Sequence, residues 1–457
     1  MPIEKNHRRL LLAVCTALFF MPFMMAGVNA VLPPLGESLH ASARQLGLVG
    51  AFYSLGLAVF QLTSGSLGDI CGRRRVWLWG MGVFALAGAM LGFVESTPFF
   101  LGLRFVQGVG GAMFNASGLA LLASAAPPGQ RAAYLGISGA AVYAGIACGP
   151  PVAGFIAGWL GWRWLFWGNA LAAAGAFLLM KYCVKLEWRT AKGQPFDWPG
   201  CIVYGCAMAA LTFGASELAR NPALAWGLLG AFVVLLTVFC LLELKSRYPL
   251  LDLRLLARNR VFALSSLAAF VNYSSFFGML FFFSLYLQVG RGMSVQQAGF
   301  FLALQSVVQA LTTPLAARLC NAWNPGYVCA VGVALCGLGL TAAGFLQLDS
   351  PLSLMLGAQC LLGVGISLFA LPNTTIILES AGPEHVGQAS GLTGAVRTGG
   401  QLCNMVVITL TLSLFLGQEP VSIANIDGFM RSMHTDLIIF GLLNLLAVGF
   451  VLARNRR

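Results

Sequence analysis

Charged side chains are scarce in this chain, so each one that interrupts an apolar run has to be accounted for. The densest interruption is Gly65-Ser66-Leu67-Gly68-Asp69-Ile70-Cys71-Gly72-Arg73-Arg74-Arg75-Val76. One carboxylate and three guanidiniums sit there between Val49 to Leu67 and Val76 to Val94, runs without any charge. Each run is about the ~20 residues that a helix needs to cross a bilayer core, so the charges are expected in water or at the headgroups. Gly65 and Gly72 let the backbone turn sharply. Two arginines lie deep inside apolar runs instead. Arg104, followed by Gln107 and Gly108, is about six residues, ~9 Å, into a helical run, where an arginine costs ~2.5–3.5 kcal/mol on insertion scales. Arg397, followed by Gln401, is ~15 Å into another, near the midplane of a bilayer. Both must face a bundle interior and find partners. Each reads either as a structural group bonded to backbone carbonyls or as a functional one.

Neutral polar residues share such runs: Asn29, Asn272, Gln305, Gln309 and Asn404. Together with Arg397 and Gln401 they are candidates for a substrate cavity; the plainer alternative is that amides at this depth join helices. Phe276, Phe277 and Phe281 suit a lipophilic solute or, equally, a lipid-facing surface. This inventory can bind solutes and protons, but it is poor in bond-making chemistry. His7, His40, His385 and His434 lie in or near loops without metal-ligand spacing, and the twelve cysteines form no zinc-type pair. None of the five lysines closes a phosphate-cradling Gly-rich loop, no span gathers a nucleophile with a base, and no filter loop or selectivity ring is present. An enzyme, an ATP-driven pump and a channel are therefore set aside. No cofactor, metal, ATP or nucleic acid is expected.

The elements that must position these residues follow from composition. Of 457 residues, 58% are hydrophobic and only 9% charged, against about 25% charged in soluble domains, and the mean hydropathy is +0.82. The chain is expected to be an all-α integral membrane protein. Fourteen spans can be drawn, among them 10–32, 76–95, 98–124, 131–158, 388–416 and 435–454. The first exceeds the 7–15 residues of a signal-peptide core and reads as a retained helix. An even count places both termini on one side. Twenty of the 27 Lys and Arg then fall in the loops on the side of the termini, and five (Arg44, Arg163, Arg220, Arg291, Arg431) fall opposite. That bias marks the termini as cytoplasmic and accounts for the net charge of +12. Two longer polar segments, Lys185 to Pro199 and Glu243 to Arg260, are expected to lie along the membrane surface. They divide the chain into a six-helix bundle (1–186), a two-helix insertion (187–256) and a second six-helix bundle (257–457), a 6+2+6 plan.

The pattern of Gly65, Leu67, Asp69, Gly72, Arg73 and Arg74 resembles the signature loop of the major facilitator superfamily of secondary transporters. Arg104-x-x-Gln107-Gly108-x-Gly110-x-Ala112 is similar to a second motif of that family. Gly145-x-x-x-Gly149-Pro150-x-x-Ala153-Gly154 resembles the motif of its exporters, with Ala153 in place of a glycine. Phe196-Asp197-Trp198-Pro199-Gly200, Trp162-Arg163-Trp164-Leu165-Phe166 and Ala389-Ser390-Gly391 ahead of Arg397 look like the fourteen-helix drug:proton antiporter branch. The resemblance implies that Asp69 engages a helix N-terminus from the other half and helps to close an inner gate. It also implies that Arg104 serves proton handling or gating. In the second half, Ala317 to Pro325 is the counterpart of the opening loop, with Asn321 for Asp69 and Pro325 for Arg73. The inner gate is therefore expected to be asymmetric.

One departure matters. The branch carries an Asp just before the stretch that here reads Ala26 to Pro33, and Met24 stands in its place. No Asp or Glu is expected near a midplane: Glu217, Glu243 and Glu379 fall at span ends, and Asp69 belongs to the gate. A cavity with arginines and no carboxylate suits neutral lipophilic or anionic cargo better than dications, because an unpaired buried ion is costly. The resemblance implies a monomeric, multi-pass transporter of a bacterial inner membrane that couples efflux of drug-like molecules to protons. The alternative is a proton-coupled permease for an organic anion.

Overall fold

A computed structural model describes residues 2–41, 43–127, 130–185, 187–189, 191–218, 220–251, 253–382, 386–416, 421 and 423–454. These residues form helices and connecting turns, and there is no strand among them. The helices are α1 (Pro2–Ala30), α2 (Leu32–Leu39), α3 (Ala43–Cys71), α4 (Arg73–Leu91), α5 (Thr97–Ala125), α6 (Arg131–Trp159) and α7 (Arg163–Cys183). After a non-helical connection come α8 (Trp198–Glu217), α9 (Pro222–Lys245) and the short α10 (Leu253–Arg258). The remainder comprises α11 (Arg260–Phe276), α12 (Gly278–Leu285), α13 (Val295–Ala322), α14 (Pro325–Ala343), α15 (Leu352–Ser380), α16 (Val386–Leu416) and α17 (Ile426–Arg454). A backbone without water must satisfy its own hydrogen bonds, which is why apolar spans become helices. Among the described residues twelve helices are long and apolar enough to cross a membrane. Two further helices, α4 with its opening Arg73-Arg74-Arg75 and α16, fall at expected spans without being among those twelve.

By contact the chain divides into two units. One comprises 1–205, 238–254 and 381–395; the other comprises 206–237, 255–380 and 396–457. In lipid there is little hydrophobic gain from helix pairing, so close approach through small residues carries the packing. Within the first unit, a Cβ added at Gly110 of α5 would lie 2.7 Å from Gly80 O and 2.6 Å from Phe84 N of α4. Gly56 of α3 meets the α5 backbone at Phe105 and Gly108 in the same way. The core around these crossings holds Trp77, Phe84 and Phe114, the last two edge to face with ring centroids 5.2 Å apart. A second cluster stacks Phe100, Trp162 and Phe166.

The second unit repeats the device. A Cβ at Gly365 of α15 would lie 2.7 Å from Gly332 O and 2.8 Å from Cys336 N of α14. Its core gathers Phe282, Phe283, Tyr286, Phe369, Phe429 and Phe440. Local signals set the helix starts. Asn259 accepts from Phe262 N to cap α11. Ser294 and Gln297 form a reciprocal capping box at α13.

Three expectations need correction. The charges of the loop at 65–76 do not all sit in water: Asp69 is 4% and Arg73 2% exposed, because each neutralises the other inside the bundle. The segment after α7 is not a free surface stretch: its described part is non-helical, and its backbone pairs with the α3–α4 corner. The last helix begins at Ile426, not near 435. Asp427, Arg431 and His434 made its first turns look like a loop, yet all three are helical.

Candidate functional site

The α3–α4 corner is the most elaborate polar assembly in the first unit. Gly72 has φ 115°, a left-handed conformation that only glycine adopts without strain, and it lets α4 begin immediately after α3 ends. Across this turn Asp69 Oδ1 accepts from Arg73 Nη2 at 2.7 Å and from Arg73 Nε at 2.9 Å. The other arm of the guanidinium donates to Ser124 Oγ and, at 3.4 Å, to the Ala120 carbonyl of α5. Ion pair and helix ends are thus locked to α5. Gly65 is buried beside them and Leu67 is half-buried.

The segment after α7 straps across this corner. Arg73 N donates to Trp188 O and Ala191 N donates to Asp69 O, both at 3.0 Å. Glu187 Oε1 accepts from Arg74 N at 2.9 Å. A carboxylate at that place satisfies an orphan amide of the first turn and faces the positive end of the α4 dipole. Arg74 itself donates to the Lys181 and Met180 carbonyls at the end of α7, at 2.8 and 3.2 Å. Arg75 is exposed and only 4.0 Å from Glu187 at its nearest oxygen. The sequence gives no hint of Glu187, since an acid in a polar joint reads as solvated. The carboxylate of Asp69, for its part, spends its described bonds on Arg73.

Arg104 is buried in α5 and its needs are met locally. Nη1 donates to Gln107 Oε1 at 2.6 Å, Nε reaches Val49 O at 3.4 Å, and the guanidinium lies 4.5 Å from the Tyr53 ring centroid. Gln107 therefore works as the arginine's partner, and Gly108 as the notch that admits the Tyr53 backbone. The exporter-type motif of α6 packs onto α1. Gly145 abuts Phe19 O, a Cβ at Gly149 would lie 2.8 Å from Phe23 O, and the kink residue Pro150 follows. Ala153 fills the space opened by Gly27, whose added Cβ would lie 3.0 Å away. The missing motif glycine is thus compensated on the facing helix. Gly154 has nothing within 4 Å.

The cavity candidates separate into two groups. Asn272, Gln305, Gln309 and Asn404 are buried within the second unit. Asn272 Nδ2 donates to Asn444 Oδ1 at 2.8 Å and Asn404 Nδ2 to Ser274 O at 2.6 Å. The backbone carbonyl of Gln309 accepts from Thr313 and Ser367 at 2.7 and 2.9 Å, and the Gln305 backbone meets Gly363 of α15. The two asparagine amides join helices, whereas Gln305 Oε1 and Gln309 Nε2 have no hydrogen-bond partner among the described residues. Arg397 and Gln401, one turn apart on α16, are half-buried instead. Arg397 acts electrostatically on Tyr273 of α11, where Gly400 brings the two helices together. The side chain of Asn29 lies outside the described residues.

Two buried ionisable groups of the second unit were not foreseen. Arg454 donates to Ser265 Oγ at 2.8 Å and Asn373 Oδ1 at 2.5 Å, tying α17 to α11 and α15. Asp436, fully buried, accepts from Thr411 Oγ1 of α16 at 2.7 Å. His434 bonds the Leu346 carbonyl at 2.5 Å. No cluster of three potential metal ligands occurs among the described residues.

With this geometry in hand, the comparisons are specific. A model of the Major Facilitator Superfamily matches residues 12–403, and the chain belongs to that family of transporters. It is 30% identical over 446 residues to the multidrug resistance protein Stp of Mycobacterium tuberculosis, covering 95% of this chain and 82% of that protein. It is 31% identical over 413 residues to the tetracenomycin C resistance and export protein of Streptomyces glaucescens, covering 88% and 76%. In fold it is similar to the proton:xylose symporter XylE, with a TM-score of 0.71 at 15% identity over 98% of this chain and 96% of that one. The protein is a multi-pass membrane transporter of small molecules and not an enzyme.

Proposed function

We propose that this protein is a proton-coupled exporter of drug-like, hydrophobic small molecules, of the fourteen-helix antiporter branch. Its termini are cytoplasmic, it works as a monomer in a bacterial inner membrane, and its 6+2+6 bundles expose one pocket alternately to either side. The observation that carries this reading is the seating of Gly145 and Gly149 against the α1 backbone at Phe19 and Phe23. These motif glycines make a close helix contact, which supports the reading. Relatives named for antibiotic resistance and export support the same direction. The Asp69–Arg73 pair, with its strap, serves as the inner gate. A screen of compounds in proteoliposomes, with and without an imposed pH gradient, tests the reading. Gradient-driven movement of lipophilic compounds is expected, and transport indifferent to the gradient refutes the coupling.

A second reading, an organic-anion permease, draws on one residue. Arg104 is committed to Gln107 and Tyr53, which leaves the half-buried Arg397 as the anion-binding candidate. Replacing Arg397 by Ala abolishes carboxylate binding under that reading. Under the leading one it weakens lipophilic cargo only severalfold.

A further inference from the structure

The first turns of α17, which look like a loop in the sequence, carry a carboxylate into the interior of the second unit. Asp436 has no exposed surface. Its Oδ2 accepts from Thr411 Oγ1 at 2.7 Å, and its Oδ1 has no hydrogen-bond partner. Thr411 in turn lies 2.9 Å from Ser432 Oγ and 3.1 Å from the Ile408 carbonyl. Its neighbours along α17, Phe429, Met433, Leu437 and Phe440, belong to one apolar core with Phe282 of α12 and Ile408 of α16. Among the described residues no cationic side chain pairs with Asp436.

The ionisable groups around it are accounted for element by element. On α17, His434 is bound to Leu346 O, Arg431 is exposed, Asp427 lies in the first turn, and Arg454 is bonded at the far end. On α16, Arg397 lies fourteen residues before Thr411, about 21 Å of helix rise, and Cys403 eight residues before it. On α11 there are Tyr273 and the terminal Arg260, on α14 Tyr327, Cys329 and Cys336, and in the turn after α14 the exposed Asp349. In the π-helical turn after α12 (Tyr286–Gly290) the Tyr286 hydroxyl donates to Gln347 O and accepts from Arg291 Nε at 3.2 Å.

A buried carboxylate that accepts one neutral hydrogen bond and pairs with no described cation keeps an oxygen, Oδ1, on which a proton can sit. The hydroxyl chain fits both forms. With Asp436 ionised, Thr411 donates to it and Ser432 donates to Thr411. With Asp436 protonated, its O–H donates to Thr411, which turns its own proton to Ser432 or Ile408 O. Taking up a proton forms one O–H bond, and releasing it returns the ion to water; no other group need change.

We propose that Asp436, with Thr411 and Ser432 as its relay, is a proton-binding site of the second unit, separate from the cargo face at Arg397. It lies toward the end of the bundle opposite Arg454, which is extracytoplasmic in the proposed topology. This rests on the reading of the chain as a proton-coupled exporter and supplies a carboxylate where Met24 withdraws the one that the branch carries.

The test uses the full chain in proteoliposomes. Dicyclohexylcarbodiimide, which reacts with protonated carboxyls inside a membrane, is applied between pH 5 and 9, and the peptide containing Asp436 is quantified by mass spectrometry. Labelling that falls at least tenfold as pH rises supports the site; labelling that is absent or indifferent to pH overturns it. In parallel, movement of the neutral dye N-phenyl-1-naphthylamine is followed with and without a pH gradient. Asp436→Asn is expected to lose at least tenfold of the gradient-driven component while retaining exchange without a gradient. Asp436→Glu, which keeps the acid, retains both and controls for folding. Gradient-driven movement that survives Asp436→Asn overturns the assignment. Wild-type movement indifferent to the gradient, with pH-dependent labelling intact, overturns the exporter reading and leaves the proton site standing.

Discussion

The α3–α4 and α13–α14 corners are built to one plan and finished differently. Both lead into nineteen-residue helices, starting at Arg73 and Pro325, and both helices pack through a glycine pair, Gly80 with Gly110 and Gly332 with Gly365. In both, the amide of the second helical residue is capped by a side-chain oxygen. At α14 the cap is local: Asn324 Oδ1 accepts from Gly326 N at 2.8 Å. At α4 the preceding residue is Gly72, which has no side chain to offer, and the cap comes from Glu187, 113 residues away. One corner is self-sufficient, and the other depends on a distant strap and a buried ion pair. A corner whose integrity depends on removable contacts is the better place for a gate, because each contact can be made in one state and broken in another.

The largest expected effect tests the ion pair. Arg73→Met leaves Asp69 buried and uncompensated, and about 3–5 kcal/mol of stability should be lost, read as a fall in melting temperature of the purified protein in detergent. Adding Asp69→Asn to it should restore part of that loss, and Asp69→Asn alone should impair transport while folded protein remains in the membrane. A single mutant as stable as wild type would remove the pair from the comparison. The glycine seams come next. Gly110→Val and Gly365→Val should each cost about 1–3 kcal/mol through overpacking, to a similar degree if the two seams are equivalent. Gly154→Val, at a position with open space, should be silent in the same assay.

The caps should differ in kind more than in size. Glu187→Ala and Asn324→Ala each remove one capping bond, worth about 0.5–2 kcal/mol. Only Glu187→Ala should also make residues 184–194 sensitive to limited proteolysis, and equal sensitivity in both variants would dissolve the contrast. Smallest of all, Arg75→Ala should change stability by less than about 0.5 kcal/mol, since its pairing with Glu187 is long and solvent-exposed.

What was legible in the sequence were features whose physics is local. The spacing of Gly145 and Gly149 announces a close helix contact, and the depth of Arg104 in an apolar run announces that it faces the interior and finds partners. Ala153 read as a blemish in a motif because its compensation, Gly27, sits on another helix. Glu187 and Asp436 were missed for the same reason. An acid in a polar joint and an acid among Asp427, Arg431 and His434 both resemble solvated loop residues until the chain folds. The start of α17 was misplaced by about nine residues on that account, and Asp436, the second residue of the expected span at 435–454, went unremarked.

The strap has one more implication. Residues 184–197 connect the first seven helices to α8, and they are pinned to the α3–α4 turn through Trp188 and Ala191 as well as Glu187. A connector anchored in this way reports to the turn whatever pulls on its far end. An affinity tag, a nick or an insertion placed there would act as a lesion in the α3–α4 corner, whereas the same alteration in a free linker would be tolerated.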